Sequence, residues 1–201
     1  TLTTRNNLAC AYESAGHLTE AITLYDQVLT DSIRILGEDH PNTLTTRNNL
    51  ACAYESAGHL AEAITLYDQV LTDRIRILGN DHPNTLTTRN NLAYAYNSAG
   101  RLAEAITLYE QVLTDSIRIL GNDHPHTLSS RNNLAYAYNS AGRLAEAIAL
   151  YEQVLTDSIR VLGKNHPYTL ATLNALARAY KDAGFQNKAT ALLEGGTPTE
   201  G

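Results

Sequence analysis

The sequence predicts an all-α fold, an α-solenoid in which antiparallel helix hairpins stack one on the next. Two observations lead to this fold class. Apolar residues recur along the chain at the spacing of amphipathic helices. In addition, the phrase Arg-Asn-Asn-Leu-Ala recurs every 42 residues, beginning at Arg5, Arg47, Arg89 and Arg131. Repetition at such a period is typical of arrays in which each structural unit packs mainly on its neighbours.

Four copies of the repeat and a degenerate fifth copy account for almost the whole chain. We expect a single array over residues 1–194, with repeats at 1–42, 43–84, 85–126 and 127–168 and a capping repeat at 169–194. In the cap, Gln186 replaces the leucine that begins the second helix of the other copies, so we expect a short last helix from Gln186 to Leu193. Residues 195–201 are predicted to form a flexible tail. Because the chain opens inside a first helix, we also expect it to be a fragment of a longer array.

Each copy contains two helical segments separated by glycine. In the first segment, Leu8, Tyr12 and Ala15 share one helical face, and we expect them to pack within their own hairpin. Gly16 ends this helix, and a longer second helix runs as far as Gly37. A His-Pro pair precedes the next first helix, at a position where proline costs no hydrogen bond.

The pattern resembles the tetratricopeptide repeat, in the 42-residue variety found in kinesin light chains and in many multidomain bacterial signalling proteins. The matching residues of the second copy are Leu50, Ala51, Tyr54, Gly58, Leu60, Ala63, Ile64, Tyr67 and Val70, with the linker Leu78-Gly79-Asn80-Asp81-His82-Pro83. Two positions depart from the family: Ala51 replaces its usual glycine, and Arg47 replaces a large apolar residue. The resemblance implies a right-handed α-solenoid whose first helices line a concave groove, in which an extended peptide or a partner helix lies.

The resemblance, combined with a rotation of about 100° per helical residue, places three columns of side chains on this groove. The central column is Cys10, Cys52, Tyr94, Tyr136 and Arg178. The second column is Glu13, Glu55, Asn97, Asn139 and Lys181. The third column is Asn6, Asn48, Asn90, Asn132 and Asn174.

The chemistry of these columns suggests how a ligand could bind. Side-chain amides both donate and accept hydrogen bonds, so the asparagines could pair with the backbone of an extended chain. Tyrosines add contact area at a low entropic cost. We hypothesise that a basic part of the ligand lies near Glu13 and Glu55, and an acidic part near Arg178 and Lys181. The alternative is that the asparagines bond neighbouring helices and that the change in charge reflects drift among duplicated copies.

The arginine that opens each phrase is predicted to have a structural role. It projects toward the core side of the first helix, where an unpaired guanidinium would be costly. We therefore expect each arginine to contact an aspartate on the second helix of the preceding repeat. The predicted inter-repeat pairs are Asp31–Arg47, Asp73–Arg89 and Asp115–Arg131.

The composition excludes several classes of partner. With 201 residues, 43% hydrophobic and 18% charged, the chain has the composition of a folded protein. A net charge of −6 argues against binding to nucleic acid, which requires a basic face. No apolar run is long enough to span a bilayer, and no signal peptide is recognisable, so we expect a cytoplasmic protein with no membrane partner.

Cys10 and Cys52 are expected to be free thiols, because equivalent positions on stacked helices lie about 8–10 Å apart, beyond disulfide reach.

The sequence predicts neither an enzyme nor a bound cofactor or metal. Four histidines recur in the His-Pro linkers, where capping or turn formation explains them: His40, His82, His124 and His166. His124 and His126 lack a convergent third ligand. We find no phosphate-binding glycine loop, no nucleophile–base signature and no carboxylate dyad.

The leading interpretation is therefore a scaffold that binds an unidentified protein or peptide. The alternative is a structural element that self-associates end to end, because the terminal faces resemble the interfaces already used within the array. A third possibility is a spacer without a saturable partner.

Overall fold

The computed structural model describes residues 1–195, and the only regular secondary structure within that range is helical. The helices are α1 Leu2–Ser14, α2 Leu18–Leu36, α3 Pro41–Ser56, α4 Leu60–Leu78, α5 Pro83–Ser98, α6 Leu102–Leu120, α7 Pro125–Ser140, α8 Leu144–Leu162, α9 Pro167–Asp182 and α10 Gln186–Leu193. This architecture confirms the all-α fold class and the short last helix. The predicted tail lies outside the described residues, apart from Gly195. Among these helices, none is both long and apolar enough to cross a membrane.

The chain divides into two compact units, Thr1–Arg101 and Leu102–Gly201. In the first unit, α3 packs mainly against α4 of its own hairpin and α2 of the preceding one, with fewer contacts to α1 and α5. In the second unit, α7 packs against α6 and α8, and α9 packs against α8 and α10. The unit boundary lies between α5 and α6, inside the predicted third repeat. The single array over residues 1–194 remains a prediction.

Histidine side chains cap the first helices at their N-termini. The Nδ1 atom of His40 accepts a hydrogen bond from the backbone N–H of Asn42 at 3.1 Å, and His82 accepts one from Asn84 at the same distance. His124 and His166 make the equivalent bond. Each bond satisfies one of the backbone donors that the first turn leaves open, and proline follows at a position where no donor is needed. The predicted capping role of these histidines is confirmed.

The core of the first unit forms where a second helix meets the first helices on either side of it. One cluster of this core contains the buried residues Ala9, Ala21, Tyr25, Leu50 and Ala53. Small residues on the first helices let the helices approach closely, and the large tyrosine ring fills the space between them. The same pairing recurs at Tyr67, which is also fully buried.

One sequence-based assignment of the core is wrong. Leu8 and Tyr12 were expected to pack their own hairpin, but their exposed fractions are 47% and 36%, and Ala15 is exposed as well. The equivalent Leu50 is only 2% exposed, and it packs in one cluster with Tyr25 of the preceding hairpin. The stripe therefore faces the hairpin before it. Helical periodicity identifies a buried face, but it does not say which neighbour buries that face.

The predicted ion pairs are wrong in their register. Three of these arginines contact an aspartate of their own hairpin: Arg5–Asp31 at 2.6 Å, Arg47–Asp73 at 3.0 Å and Arg131–Asp157 at 2.8 Å. The expectation that these guanidinium groups contact a carboxylate is confirmed. The structure replaces all three predicted pairs, which were Asp31–Arg47, Asp73–Arg89 and Asp115–Arg131. Asp31 instead binds Arg5, Asp73 binds Arg47, and Arg131 binds Asp157. An arginine near the start of a first helix lies beside the ends of both flanking second helices, so sequence spacing alone allows either partner.

The linker aspartates form further ion pairs with the hairpin that follows them. Both carboxylate oxygens of Asp39, in the linker before α3, accept hydrogen bonds from Arg76 near the end of α4. Arg160 and Asp123 repeat this arrangement in the second unit. The hydrogen bonds from Arg76 hold the pKa of the Asp39 carboxyl below its usual value. Because these groups are exposed, each pair contributes little to stability by itself.

Removing one histidine cap should destabilise the chain measurably. We expect His82→Ala to lower the free energy of unfolding by about 1 kcal/mol, because the first turn of α5 loses its side-chain acceptor. His82→Asp keeps an acceptor and should retain most of the stability. His59→Ala is the matched control, because His59 precedes α4 without making a side-chain cap. Urea unfolding followed by circular dichroism measures all three, and equal losses at the two histidines would contradict the capping role.

A double-mutant cycle should distinguish the observed ion pairing from the one expected from sequence. We expect Arg47→Met and Asp73→Asn to show a coupling energy of about 0.5–3 kcal/mol, because their side chains meet in a largely buried contact. Arg47→Met and Asp31→Asn should be additive to within about 0.5 kcal/mol. Unfolding free energies of the single and double variants give both values. A larger coupling to Asp31 would restore the sequence-based register.

Candidate functional site

The structure brings most of the predicted groove residues of the first unit onto one surface. We call it the α1/α3/α5 surface and define it by Cys10, Glu13, Cys52, Glu55 and Tyr94. The hydroxyl of Ser56 on α3 donates a hydrogen bond to Glu13 Oε1 on α1 at 3.3 Å, which joins the first two helices of the surface. Tyr94 on α5 exposes 45% of its surface.

Tyrosines from the second helices form the floor of this surface. The buried Tyr67 of α4 donates its hydroxyl hydrogen toward both Cys52 Sγ, at 3.0 Å, and Glu55 Oε2, at 3.2 Å. Tyr25 of α2 makes the equivalent contact to Glu13 Oε2 at 3.5 Å. The floor is thus part of the hydrophobic core, and its polar edge reaches the surface.

Burial controls the ionisation of these groups. It raises the pKa of the Cys52 thiol to about 11, although the hydrogen bond from Tyr67 works in the opposite direction. Cys10 and Cys52 are free thiols, and a neutral Cys52 thiol is a poor nucleophile at neutral pH. Burial is also the main reason that the pKa of Glu55 is raised, and the nearby Glu13 carboxylate raises it further.

The asparagine column has structural contacts in the first unit. Asn6 Oδ1 accepts a hydrogen bond from the Thr46 hydroxyl at 3.3 Å, and Asn48 Oδ1 accepts one from Thr88 at 3.2 Å. Both bonds join first helices of successive hairpins, and Asn48 is only 8% exposed. These amide oxygens are therefore used inside the fold, which favours the structural alternative for Asn6 and Asn48. Contact of the column with a ligand remains a prediction.

The other two predicted groove residues of α5, Asn97 and Asn90, differ in identity or burial from their counterparts on α3. Asn97, which stands where α3 has Glu55, is 8% exposed. Asn90 is half-buried and lies beside Tyr94.

In the second unit, the predicted residues lie on α7 and α9. Tyr136 exposes 44% of its surface, and Asn174, Arg178 and Lys181 are exposed on α9. The two helices are joined by a hydrogen bond from Asn139 Nδ2 to Asp182 Oδ2 at 3.4 Å. We call this the α7/α9 surface.

Two buried acceptors of α7 have no protein donor within residues 1–195. They are the side-chain oxygens of Asn132 and Asn139. In the first unit, Thr46 and Thr88 donate hydrogen bonds to the asparagines equivalent to Asn132. The equivalent threonine next to Asn132 is Thr172, and its hydroxyl donates to the Tyr168 carbonyl oxygen. The α7/α9 surface therefore has acceptor capacity that the α1/α3/α5 surface has used.

Sequence reasoning missed Arg74, which replaces the serine of the other copies. Its side chain is 5% exposed and donates from Nη1 to the Asn84 carbonyl oxygen at 2.9 Å and to the Thr88 hydroxyl. It forms no ion pair within the described residues, and burial lowers its pKa. Because Thr88 in turn bonds Asn48, Arg74 supports the back of the α1/α3/α5 surface. Its signal in the sequence was a single Ser-to-Arg difference between otherwise near-identical copies.

A pocket of about 260 Å³ opens on the α1/α3/α5 surface. We call it the Glu55 pocket, and it is lined by Cys52, Glu55, Ser56, Tyr67, Asn90, Asn91 and Tyr94. The three predicted columns contain Cys52, Glu55, Asn90 and Tyr94, whereas Ser56, Tyr67 and Asn91 lie outside those columns. Within residues 1–195, no three histidine, cysteine, aspartate or glutamate side chains gather closely enough to hold a metal ion.

Solved structures resemble this chain over nearly its full length. The crystal structure of the Podosopora anserina putative kinesin light chain, with nearly identical TPR-like repeats, is 36% identical, covers 96% of this chain and 92% of its own, and superposes with a TM-score of 0.84. BtubC (BKLC) from P. vanneervenii is 24% identical with a TM-score of 0.79, covering 93% of this chain and 74% of its own. The Rap conjugation gene regulator of plasmid pLS20, in complex with the Phr* peptide, is 13% identical with a TM-score of 0.72. The match covers 92% of this chain and 49% of the regulator. The last two show the fold alone.

The family comparison agrees with the structural one. None of the curated protein sequences compared with the chain is significantly similar to it. The tetratricopeptide repeat model matches residues 1–74, 60–116, 90–158 and 130–194, so the matches overlap along almost the whole chain. The hairpins, the capped linkers and the buried tyrosines have the positions that the resemblance implied. The chain therefore belongs to the tetratricopeptide repeat family.

Proposed function

We propose that the chain is a protein-interaction module whose first helices bind an extended polypeptide segment. The observation that carries this proposal is the exposure of Tyr94 and Tyr136, at 45% and 44%, on the α1/α3/α5 and α7/α9 surfaces. Tyrosines of the second helices, such as Tyr67, are buried in the same fold. Exposed aromatic side chains flanked by polar groups are typical of surfaces that contact other proteins.

The charges of the two surfaces support a polar ligand. Glu13 and Glu55 form no ion pair with another described residue. Arg178 and Lys181 are exposed and likewise form no ion pair with a described residue. The first unit would accept a basic part of a ligand, and the second unit an acidic part. Each surface is complete within its own unit.

A structural neighbour supports the choice of a peptide as ligand. The Rap regulator of pLS20 has been solved with the Phr* peptide, and it shares the helical fold of this chain. The fold can thus hold a peptide, while the residues that would select one here are particular to this sequence.

Self-association is a second candidate function, and one observation favours it. Leu8 exposes 47% of its surface at the first hairpin, whereas the equivalent Leu50 exposes 2%. A second copy could cover this face as the preceding hairpin covers Leu50, and a contact between unlike faces can propagate.

Sedimentation velocity over a range of concentrations tests self-association. If it occurs, the mean sedimentation coefficient should rise with concentration, and Leu8→Ser should remove that rise because it makes the exposed face polar. Ser14→Ala is an exposed control on the same helix. A concentration-independent monomer would exclude this candidate.

Tyrosine truncation tests the peptide-binding function. Peptides selected from a random decapeptide library on the wild-type chain serve as probes, and fluorescence anisotropy measures their Kd. We expect Tyr94→Ala or Tyr136→Ala to weaken binding at least about tenfold, equivalent to about 1.4 kcal/mol, because a central aromatic contact is lost. Tyr12→Ala is the matched control, since Tyr12 is an exposed tyrosine of α1 outside both surfaces. Unchanged binding in both tyrosine variants would overturn the assignment.

A further inference from the structure

The Glu55 pocket lies within the first unit and combines side chains from two copies of the repeat that differ in chemistry. Cys52 and Glu55 come from the second copy of the repeat, which has a small thiol and a carboxylate at these positions. Tyr94 comes from the third copy, which has an aromatic ring where the second has Cys52. The small side chain leaves the cavity open, and the large one provides its wall.

The carboxylate in this pocket has no counter-charge. Glu55 is half-buried, its Oε2 atom accepts a hydrogen bond from Tyr67, and no described arginine, lysine or histidine pairs with it. A second carboxylate, Glu13, is held nearby by the hydroxyl of Ser56, which itself lines the pocket. Two neighbouring carboxylates without a cation repel each other, and a bound cation would relieve this repulsion.

A tyrosine that also lines the pocket suits a flat cation. Tyr94 leaves 45% of its surface exposed. The chain already stacks guanidinium groups on tyrosine rings at other places, because Arg101 lies 4.2 Å from the ring centre of Tyr96 and Arg143 lies 4.2 Å from that of Tyr138. An arginine side chain can contact a ring with its face and a carboxylate with its edge at the same time.

The size of the pocket favours one side chain over a whole small ligand. Its volume of about 260 Å³ lies just below the range of about 300–1,000 Å³ that is typical of small-molecule sites. An extended peptide places alternate side chains on one side of its backbone, so one of them could enter while the backbone follows the surface.

We propose that the Glu55 pocket binds the guanidinium of an arginine side chain in the peptide segment, between the Glu55 carboxylate and the Tyr94 ring. This inference rests on the proposed peptide-binding function and adds a specificity to it. The sequence carries the combination of carboxylate and tyrosine once. The equivalent pairs in the other copies are Glu13 with Cys52, Asn97 with Tyr136, and Asn139 with Arg178.

Four peptides and four proteins test the proposal. The probes are nonapeptides of alternating glycine and serine with arginine, lysine, citrulline or alanine at the centre, where citrulline is a neutral analogue of arginine. The proteins are the wild type, Glu55→Asn, Cys52→Tyr and Glu62→Gln. The first two substitutions introduce residues that the third and fourth copies carry at the same positions, so the fold should accept them. Glu62→Gln removes one negative charge from an exposed site at the start of α4.

Titrations followed by NMR chemical shifts give the dissociation constants. We expect the wild type to bind the arginine peptide at least about tenfold more tightly than the citrulline peptide, and lysine to be intermediate. Glu55→Asn should remove this preference, and Cys52→Tyr should remove it by filling the pocket. Glu62→Gln should keep it. Equal binding of arginine and citrulline by the wild type, or an undiminished preference in Glu55→Asn, would overturn the proposal.

The two levels of the hypothesis can fail separately. If library-selected peptides bind in a Tyr94-dependent way but show no preference for arginine, the proposed function stands and the pocket assignment is wrong. If no peptide binds to the wild type, both are wrong.

The preference for arginine should also depend on pH. Burial and Glu13 raise the pKa of Glu55, so its negative charge is lost at a higher pH than that of an ordinary glutamate, near 4.3. The other titratable groups of the pocket are Cys52 on α3, Tyr67 on α4 and Tyr94 on α5. Burial raises the pKa of Cys52 and of Tyr67, so these two groups stay neutral in this pH range. We expect the arginine-to-citrulline ratio to fall as the pH is lowered toward the range in which Glu55 titrates. A ratio that stays constant from pH 7 to pH 4 would contradict a role for the Glu55 carboxylate.

Discussion

The first unit depends on the packing of a large tyrosine from each of its second helices, α2 and α4, against small residues of the first helices. Tyr25 lies in one cluster with Ala9 and Ala53, and Tyr67 is fully buried in the equivalent position. The alanines allow the close approach, and the ring fills the space that they leave. The hydroxyl at the end of each ring then reaches a glutamate on the α1/α3/α5 surface. The same side chain therefore joins the hydrophobic core to the candidate binding surface.

The copies of the repeat are nearly identical and share one architecture. Local differences in charge and side-chain volume therefore come from the few positions at which the copies differ. Arg74 replaces a serine and donates to Thr88, which bonds Asn48 behind the surface. Glu55 and Tyr94 line the same pocket, and this combination arises because the second and third copies differ at two columns. These differences change charge and volume without changing the helices. A repeat array can thus keep its packing constant while it acquires a local site where two kinds of copy meet.

Some polar side chains of this chain stabilise the fold, and others are candidates for ligand binding. The difference lies in whether their bonding capacity is already used within the fold. The oxygens of Asn6 and Asn48 are used between hairpins, and the linker histidines are used at helix ends. The carboxylate of Glu55 is held by a neutral tyrosine and has no cationic partner within the described residues. A half-buried carboxylate that lacks a counter-charge weakens the fold, which makes it a better candidate for ligand binding than the satisfied asparagines.

The sequence by itself determined the helices, their ends, the capping histidines, the short last helix and the family, because periodicity, glycine and the His-Pro linker are local signals. It also identified the stripe that contains Leu50 as a helical face for packing and Arg47 as the partner of an aspartate. Only the tertiary structure decided that Leu50 packs against the preceding hairpin and that Arg47 contacts Asp73. A first helix lies between two second helices of almost the same sequence, so spacing along the chain cannot distinguish them. The three-dimensional rotation of each helix makes that choice, and the same rotation places Tyr67 beneath Glu55.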